Sequence, residues 1–379
     1  MAKMRLVGLL AGDLHHQKDM QTKYGPFFAA LAGRFDLLDV KDVSLKGFER
    51  WMNALRVFNP NFQKWKEHYF KNVPAFQIRS KNVSNYLERM QGQFDYALQV
   101  GVLFNANTNA HPSNTVIYTD HTAALSALHP TCGRSPFDPT ELKRWLALEK
   151  LTYTQSRHIF VRSSCTMNSL IKDYGISVSK ISVIAAGHNL SKLPDMQANF
   201  SIDPHTILFI GKNFHRKGGD ILLRAFALVR EKVPSARLLA VTAGPIPTYL
   251  PRDGVEVIPP TWDRSVIEDL YRQAQVFVLP SRLETWGDVL LEAMAFGKTC
   301  IGVRGQAMEE IILEDQTGLL VKPEDPLELS QAILKLFDHP DWMSKLGKAA
   351  RQRIENEFTW EIVVDRIFHI LSKLDKETE

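Results

Sequence analysis

Short apolar runs alternate with helical patterns along the first half of the chain. Residues 6–10, 37–40, 96–103, 115–119, 159–162 and 181–185 are hydrophobic almost without interruption, as strands of a parallel sheet covered on both faces are. Helical stretches sit between them, at 22–33 and 139–157 for example. The pattern then restarts, with strands predicted at 206–210, 236–242, 276–279, 299–302 and 318–321. Helices are predicted between them at 218–232, 266–273 and 289–296. Strand–helix alternation of this kind predicts a doubly wound α/β domain, here twice. The Ser, Pro, Asp and Asn residues of 189–204 read as the linker. Ligands of open α/β sheets bind outside the carboxyl ends of the strands, so two such domains make a cleft between facing loops, where function is expected.

Bulk properties change this picture little. A chain of 379 residues is too long for one ordinary core. A formal charge of +4 does not argue for nucleic acid. Cys132, Cys165 and Cys300 are odd in number and far apart, offering neither a disulfide framework nor a metal pattern. No run approaches the ~20 apolar residues of a membrane span, and the apolar start is too short for a signal peptide. The expected location is cytoplasmic, with peripheral contact to the inner membrane face open.

Two stretches of the second half carry chemistry. In 280–297 a strand feeds Ser281-Arg-Leu-Glu284-Thr-Trp286-Gly287-Asp288, and a helix opens near Gly287. The first N–H groups of a helix lack intrahelical partners and the dipole there is positive, so an anion is favoured. Glu292 lies in an otherwise apolar helix and needs a polar partner, either a sugar hydroxyl pair or a nearby Lys or Arg. In 208–226 a strand ends at Gly211-Lys212, and Arg216-Lys217-Gly218 precedes a helix. A solvated helix start would explain these cations, but cations at a helix N-terminus are unfavourable unless an anion arrives.

Glu284 and Glu292, seven residues apart and followed by Ala-Met-Ala-Phe-Gly-Lys, resemble the Glu-x7-Glu signature of family 4 glycosyltransferases of the GT-B fold. Glu284-Thr-Trp-Gly287 is similar to that family's Glu-Gly-Phe-Gly, and Gly211-Lys212 with Lys217-Gly218 is similar to its Gly-Arg…Lys-Gly, with Lys for the usual Arg. The resemblance implies a GT-B architecture of two Rossmann-like domains facing a cleft. Residues 1–190 would form the acceptor domain and 204–357 the nucleotide-sugar donor domain, with the last helix, about 358–379, packing back on the first. It implies that Glu284 holds donor-sugar hydroxyls and Glu292 the ribose. The backbone N–H groups of Trp286, Gly287 and Asp288 would face sugar and diphosphate, with Lys212 and Lys217 binding the diphosphate. Two cations there would stabilise charge growing on the leaving group without a metal or cofactor. The segment Gly302-Val-Arg-Gly305-Gln306-Ala307-Met-Glu309-Glu310 departs from the family's Gly-Gly-x-Pro-Glu, Glu310 being the matching Glu.

In the first half, Asp120-His121 follows a strand, and His121 resembles by position the family's N-domain histidine beside the donor sugar. A satisfied structural histidine is the alternative. The loop 11–17 keeps only Gly12 of a usual Gly-Gly; Gly12, Asp13 and His15, with Asp120 and His121, are the candidate acceptor residues. His15 and His16 lack the carboxylate or Cys partners of a metal site. Glu149 and Tyr153 are read as structural. The least familiar stretch, 47–90, interleaves Trp51, Phe58, Phe62, Trp65, Tyr69 and Phe70 with Arg50, Arg56, Lys64, Lys66 and Lys71. Between Lys41 and Arg89 there are ten Lys/Arg against four Asp/Glu. Helices packing their aromatics on the sheet, an anionic membrane or lipid-acceptor surface, and another polyanionic acceptor all fit this pattern.

The expected activity is retaining transfer of a sugar from a nucleotide-diphosphate sugar to a hydroxyl acceptor (lipid, glycan or small molecule). The alternatives are a nucleotide-sugar epimerase on the same fold, and a non-catalytic sugar-nucleotide or lipid-binding protein.

Overall fold

Twelve parallel strands form two sheets in a computed structural model that describes residues 3–107, 114–129, 132, 135–195 and 204–376. The first sheet has the order β2-β1-β3-β4-β5-β6, built from β1 (Arg5–Leu10), β2 (Asp36–Asp42), β3 (Tyr96–Val100), β4 (Thr115–Thr119), β5 (His158–Val161) and β6 (Ile181–Val183). Its central strands β3, β4 and β5 are buried at every residue, as strands covered on both faces must be. The edge strand β2 has only exposed and half-buried positions. The run expected to continue to residue 103 stops at Val100, because Gly101 turns the backbone to φ +71°. The buried side chain of Gln99 then braces the turn, donating to the carbonyls of Gly101 and Phe104, both at 2.9 Å, and accepting from Ala106 N–H.

The second sheet has the order β12-β11-β10-β7-β8-β9, from β7 (Thr206–Asn213), β8 (Arg237–Ala243), β9 (Val255–Ile258), β10 (Val276–Val278), β11 (Thr299–Val303) and β12 (Gly318–Val321). β9 has no counterpart among the expected strands. It is a four-residue edge strand without a buried residue, so no apolar run marks it. Each sheet is doubly wound: the first reverses direction between β1 and β3, the second between β7 and β10.

The chain divides into two compact units, Met1–Ala185 with Trp360–Glu379, and Ala186–Thr359. The linker expected at 189–204 lies at 196–203 outside the described residues, as do residues 377–379. Helix Trp360–Lys376 is part of the first unit because its apolar stripe packs on helix Lys18–Arg34. Trp360 meets Phe27 at 4.9 Å between ring centroids, Phe368 meets Phe35 at 5.6 Å, and Asp365 pairs with Arg34 at 2.8 Å. Among the described residues no helix is long and apolar enough to cross a membrane.

Two buried polar groups in the first unit are structural. Glu149 accepts from Ala123 N–H at 3.0 Å, from Trp145 Nε1 at 3.0 Å and from the Tyr174 hydroxyl, so its oxygens anchor three elements; burial pushes its pKa up. His158 is buried in β5 with Nε2 at 2.9 Å from Ser182 Oγ, and burial lowers its pKa to about 4. Its folded value lies below the unfolded value of about 6.5, so the unfolded chain binds more protons between the two. The stability tied to neutral His158 is therefore present above pH ~6.5 and lost as pH falls towards 4. The melting temperature of the first unit is expected to fall across that window in scanning calorimetry, and His158→Gln to flatten the dependence. An unchanged slope in the variant would contradict the assignment.

Candidate functional site

The reversal between β7 and β10 sends their following loops in opposite directions and opens a crevice at the carboxyl ends of these strands. Both stretches singled out from the sequence lie there. After β7 the chain turns through residues 214–217 and enters helix Gly219–Lys232 at Gly218, whose φ of +73° suits glycine. A Cβ on Gly218 would stand 1.9 Å from the carbonyl oxygen of Pro280, at the end of β10. The two loops therefore touch backbone to backbone, and only glycine permits that approach.

This contact brings Lys217 to Glu284: Lys217 Nζ donates to Glu284 Oε2, with both side chains largely buried. Ser281 Oγ adds a bond to the same oxygen at 3.4 Å. Around this pair the loops are braced. Arg216 Nη1 donates to Leu283 O at 3.1 Å, and Arg282 N–H to Arg216 O at 2.9 Å. Arg282 forks onto Asp220 at 2.6 and 2.8 Å and reaches Glu324 at 2.6 Å, which holds its pKa above the usual range and that of Asp220 below. Lys212, at the end of β7, is exposed.

Gln306 was legible only as a departure from the family pattern, and the structure makes it a brace. Its Oε1 accepts from Glu284 N–H at 2.6 Å, while Nε2 donates to the carbonyls of Ser281 and Arg282 at 2.9 and 3.2 Å. A side-chain amide here satisfies three backbone groups of the loop that carries Glu284. Gln306→Ala is expected to weaken binding of a sugar nucleotide at least about fivefold, since a neutral hydrogen bond contributes about 1 kcal/mol. Titration calorimetry checks this, and an unaltered dissociation constant would remove Gln306 from the site.

Gly287 opens helix Asp288–Ala295 with φ +119°, so the first turn of that helix, the positive end of its dipole, lies at the same end of the sheet. The Trp286 ring is 2% exposed and packs on Phe358 at 5.8 Å, which leaves only the backbone of that residue to face a ligand. Glu292 is buried one turn further on. Arg264 Nη1 donates to it at 3.1 Å and the Tyr271 hydroxyl at 3.2 Å; burial raises its pKa. The cation partner is thus present within the unit, and Glu292 is not joined to the Lys217–Glu284 pair. Arg264 and Tyr271 escaped the sequence reading, because the only signal was a buried carboxylate that needed a partner from elsewhere.

In the first unit the loop at 11–17 follows β1, at that sheet's own reversal. Gly12 is buried, and a Cβ there would stand 2.6 Å from Met20 Sδ. Asp13 closes the loop on itself, accepting from the N–H groups of His15 and His16 at 2.8 and 3.1 Å and pairing with His16 Nδ1 at 2.9 Å. That pairing with His16, then the backbone bonds, lowers its pKa to about 2. His15 and His16 are exposed. Asp120 and His121 follow β4, with β3 lying between them and β1. His121 Nε2 sits 2.5 Å from Ser126 Oγ, and the Asp120 carbonyl accepts from Thr166 Oγ1 at 3.0 Å. No group of three or more His, Cys, Asp or Glu able to hold a metal occurs among the described residues.

The fold defines two Rossmann-like parallel α/β units, and its structural neighbours are GT-B glycosyltransferases. Sucrose-phosphate synthase of Thermosynechococcus elongatus superposes with a TM-score of 0.67 at 18% identity, covering 99% of this chain and 100% of that one. Anabaena HepE in complex with UDP-glucose gives 0.63 at 15% identity, over 98% and 100%. Residues 204–339, within the second unit, match the family described as Glycosyl transferases group 1. Among curated relatives, D-inositol 3-phosphate glycosyltransferase of Corynebacterium diphtheriae is 25% identical over 66% of this chain and 64% of its own. Glycogen synthase of Mycobacterium tuberculosis is 25% identical over 67% and 64%. The chain thus spans slightly less than two thirds of the length of these relatives.

Proposed function

We propose that the protein is a retaining, metal-independent glycosyltransferase of the family 4 type, moving a sugar from a nucleotide-diphosphate sugar to a hydroxyl acceptor. The observation that carries this reading is the convergence of Lys217 and Glu284 at the β7/β10 reversal, beside the helix start at Gly287. A diphosphate is doubly favoured there, by the positive end of the helix dipole and by the Lys217 ammonium. The match of residues 204–339 and the UDP-glucose named for HepE support a nucleotide sugar as donor.

Each residue then has a task. Lys217, with Lys212 from the end of β7, meets the negative charge that grows on the leaving diphosphate. Glu284 exchanges its lysine for donor-sugar hydroxyls, and Ser281 and Gln306 hold it in place. Glu292 binds the ribose while Arg264 and Tyr271 keep its buried charge compensated. Gly287 and the backbone of Trp286 and Asp288 line the diphosphate and sugar. His121 acts beside the sugar, and Gly12, Asp13, His15 and Asp120 serve the acceptor. No cofactor takes part, the location is cytoplasmic, and membrane contact through 47–90 is peripheral.

Incubation with UDP-, GDP- and ADP-sugars, with and without hydroxyl acceptors, tests the reading by nucleotide release and by NMR of the sugar. Release with the anomeric configuration kept is expected. An epimerised sugar without an acceptor, or binding without release, would overturn it.

A further inference from the structure

Helix Gly47–Arg56 is amphipathic in the wrong sense for a helix packed on a core. Its large apolar residues Phe48, Trp51, Met52 and Leu55 fall at i, i+3, i+4 and i+7, a single stripe, and they are 78, 71, 43 and 68% exposed. Its one buried residue is Asn53, whose Nδ2 donates to Tyr69 O at 2.9 Å. Phe58 and Phe62, at 68 and 67%, extend the exposed stripe into the next helix, Phe62–Phe70. A contiguous apolar surface of this kind marks an interaction site.

Charge indicates the partner. From Lys46 to Phe70 there are five Lys/Arg (46, 50, 56, 64 and 66) and two acids, Glu49 and Glu67. Glu49 is taken up by Asn82 Nδ2 at 3.1 Å. Aromatic and aliphatic residues on one face with basic residues around them fit the boundary layer of an anionic membrane. Beside the stripe lies a cavity of about 360 Å³, lined by Arg50, Phe62, Trp65, Lys66, Tyr69 and by Gln17 at the end of the β1 loop. Neither Arg50 nor Lys66 has a side-chain ion pair or hydrogen bond among the described residues, and no acid lines the cavity. Two uncommitted cations set among aromatic rings suit a phosphate group attached to an apolar chain.

We propose that the segment 47–70 docks the first unit on an anionic lipid surface, with the phosphate head of an amphiphile entering the Arg50/Lys66 cavity. That this amphiphile is the hydroxyl acceptor rests on the transferase reading; the docking does not.

Flotation of the full chain with vesicles of phosphatidylcholine alone, or mixed with phosphatidylglycerol, tests the surface. Binding to the anionic vesicles only is expected. Arg56→Gln should weaken it about fivefold, and Trp51→Ser with Leu55→Ser at least about tenfold. Both variants should melt as the wild type does, because the side chains are exposed. Thermal shifts with dodecyl phosphate, dodecyl maltoside and inorganic phosphate test the cavity. Only dodecyl phosphate should raise the melting temperature, and Lys66→Glu should abolish the rise. Absent or charge-independent flotation would overturn the proposal, as would a dimer that Trp51→Ser dissociates. An equal shift with inorganic phosphate would overturn the amphiphile site. None of these readings uses a sugar nucleotide, so a failure of the donor assignment leaves them unaffected.

Discussion

Lys217→Ala is expected to lower kcat for sugar transfer by at least about 100-fold, the loss that follows removal of one preorganised donor to a developing anion. The ammonium lies in a largely buried position against Glu284, where its field is little screened. Against Glu284 it neutralises that carboxylate; with donor bound it would turn to the diphosphate. The charge it meets grows as the glycosidic bond breaks, so the loss should fall mainly on kcat, with KM changed less. Lys217→Arg keeps a cation and should recover part of the rate. Steady-state kinetics of the three proteins check this. A kcat within a few-fold of wild type for the alanine variant would remove Lys217 from the reaction.

Gly218→Ala is expected to cost the second unit at least about 2 kcal/mol and to abolish measurable donor binding. The added methyl cannot be accommodated by rotation of a side chain, because its neighbour at 1.9 Å is the Pro280 backbone carbonyl. A φ of +73° adds strain for any residue with a Cβ. Relief requires the β7 and β10 loops to separate, which parts Lys217 from Glu284 and moves the Arg216–Leu283 and Arg282–Arg216 bonds. Denaturant unfolding gives the first effect and calorimetry with a sugar nucleotide the second. Normal binding in the variant would mean that the loop contact does not shape the site.

How far such a site can be read from sequence depends on the range of the interaction. Lys217-Gly218 and Glu284-Thr-Trp-Gly287 are local patterns in a strand–loop–helix setting, and the strands beside them are buried apolar runs, so both were visible. Their meeting depends on the β7/β10 reversal, which the alternation of elements implies. Arg264 was not visible, because it lies 28 positions before Glu292 on another helix and an arginine in a sequence carries no mark of its partner. Gln306 looked like a lost family feature, since three hydrogen bonds to backbone groups leave no trace in the residues that receive them. The stripe Phe48, Trp51, Met52, Leu55 has the periodicity of a helix in any environment. Periodicity gives the existence of an apolar face and not its direction; the sheet was one possible cover, and the structure turns that face to solvent.

The central claim, a donor diphosphate held at the β7/β10 reversal, is tested most directly by a crystal structure of the chain with its sugar nucleotide. The diphosphate is expected at the first turn of helix Asp288–Ala295, within hydrogen-bond reach of Lys217 Nζ, with Glu284 turned to the sugar. A diphosphate bound elsewhere, with Lys217 still on Glu284, would contradict it.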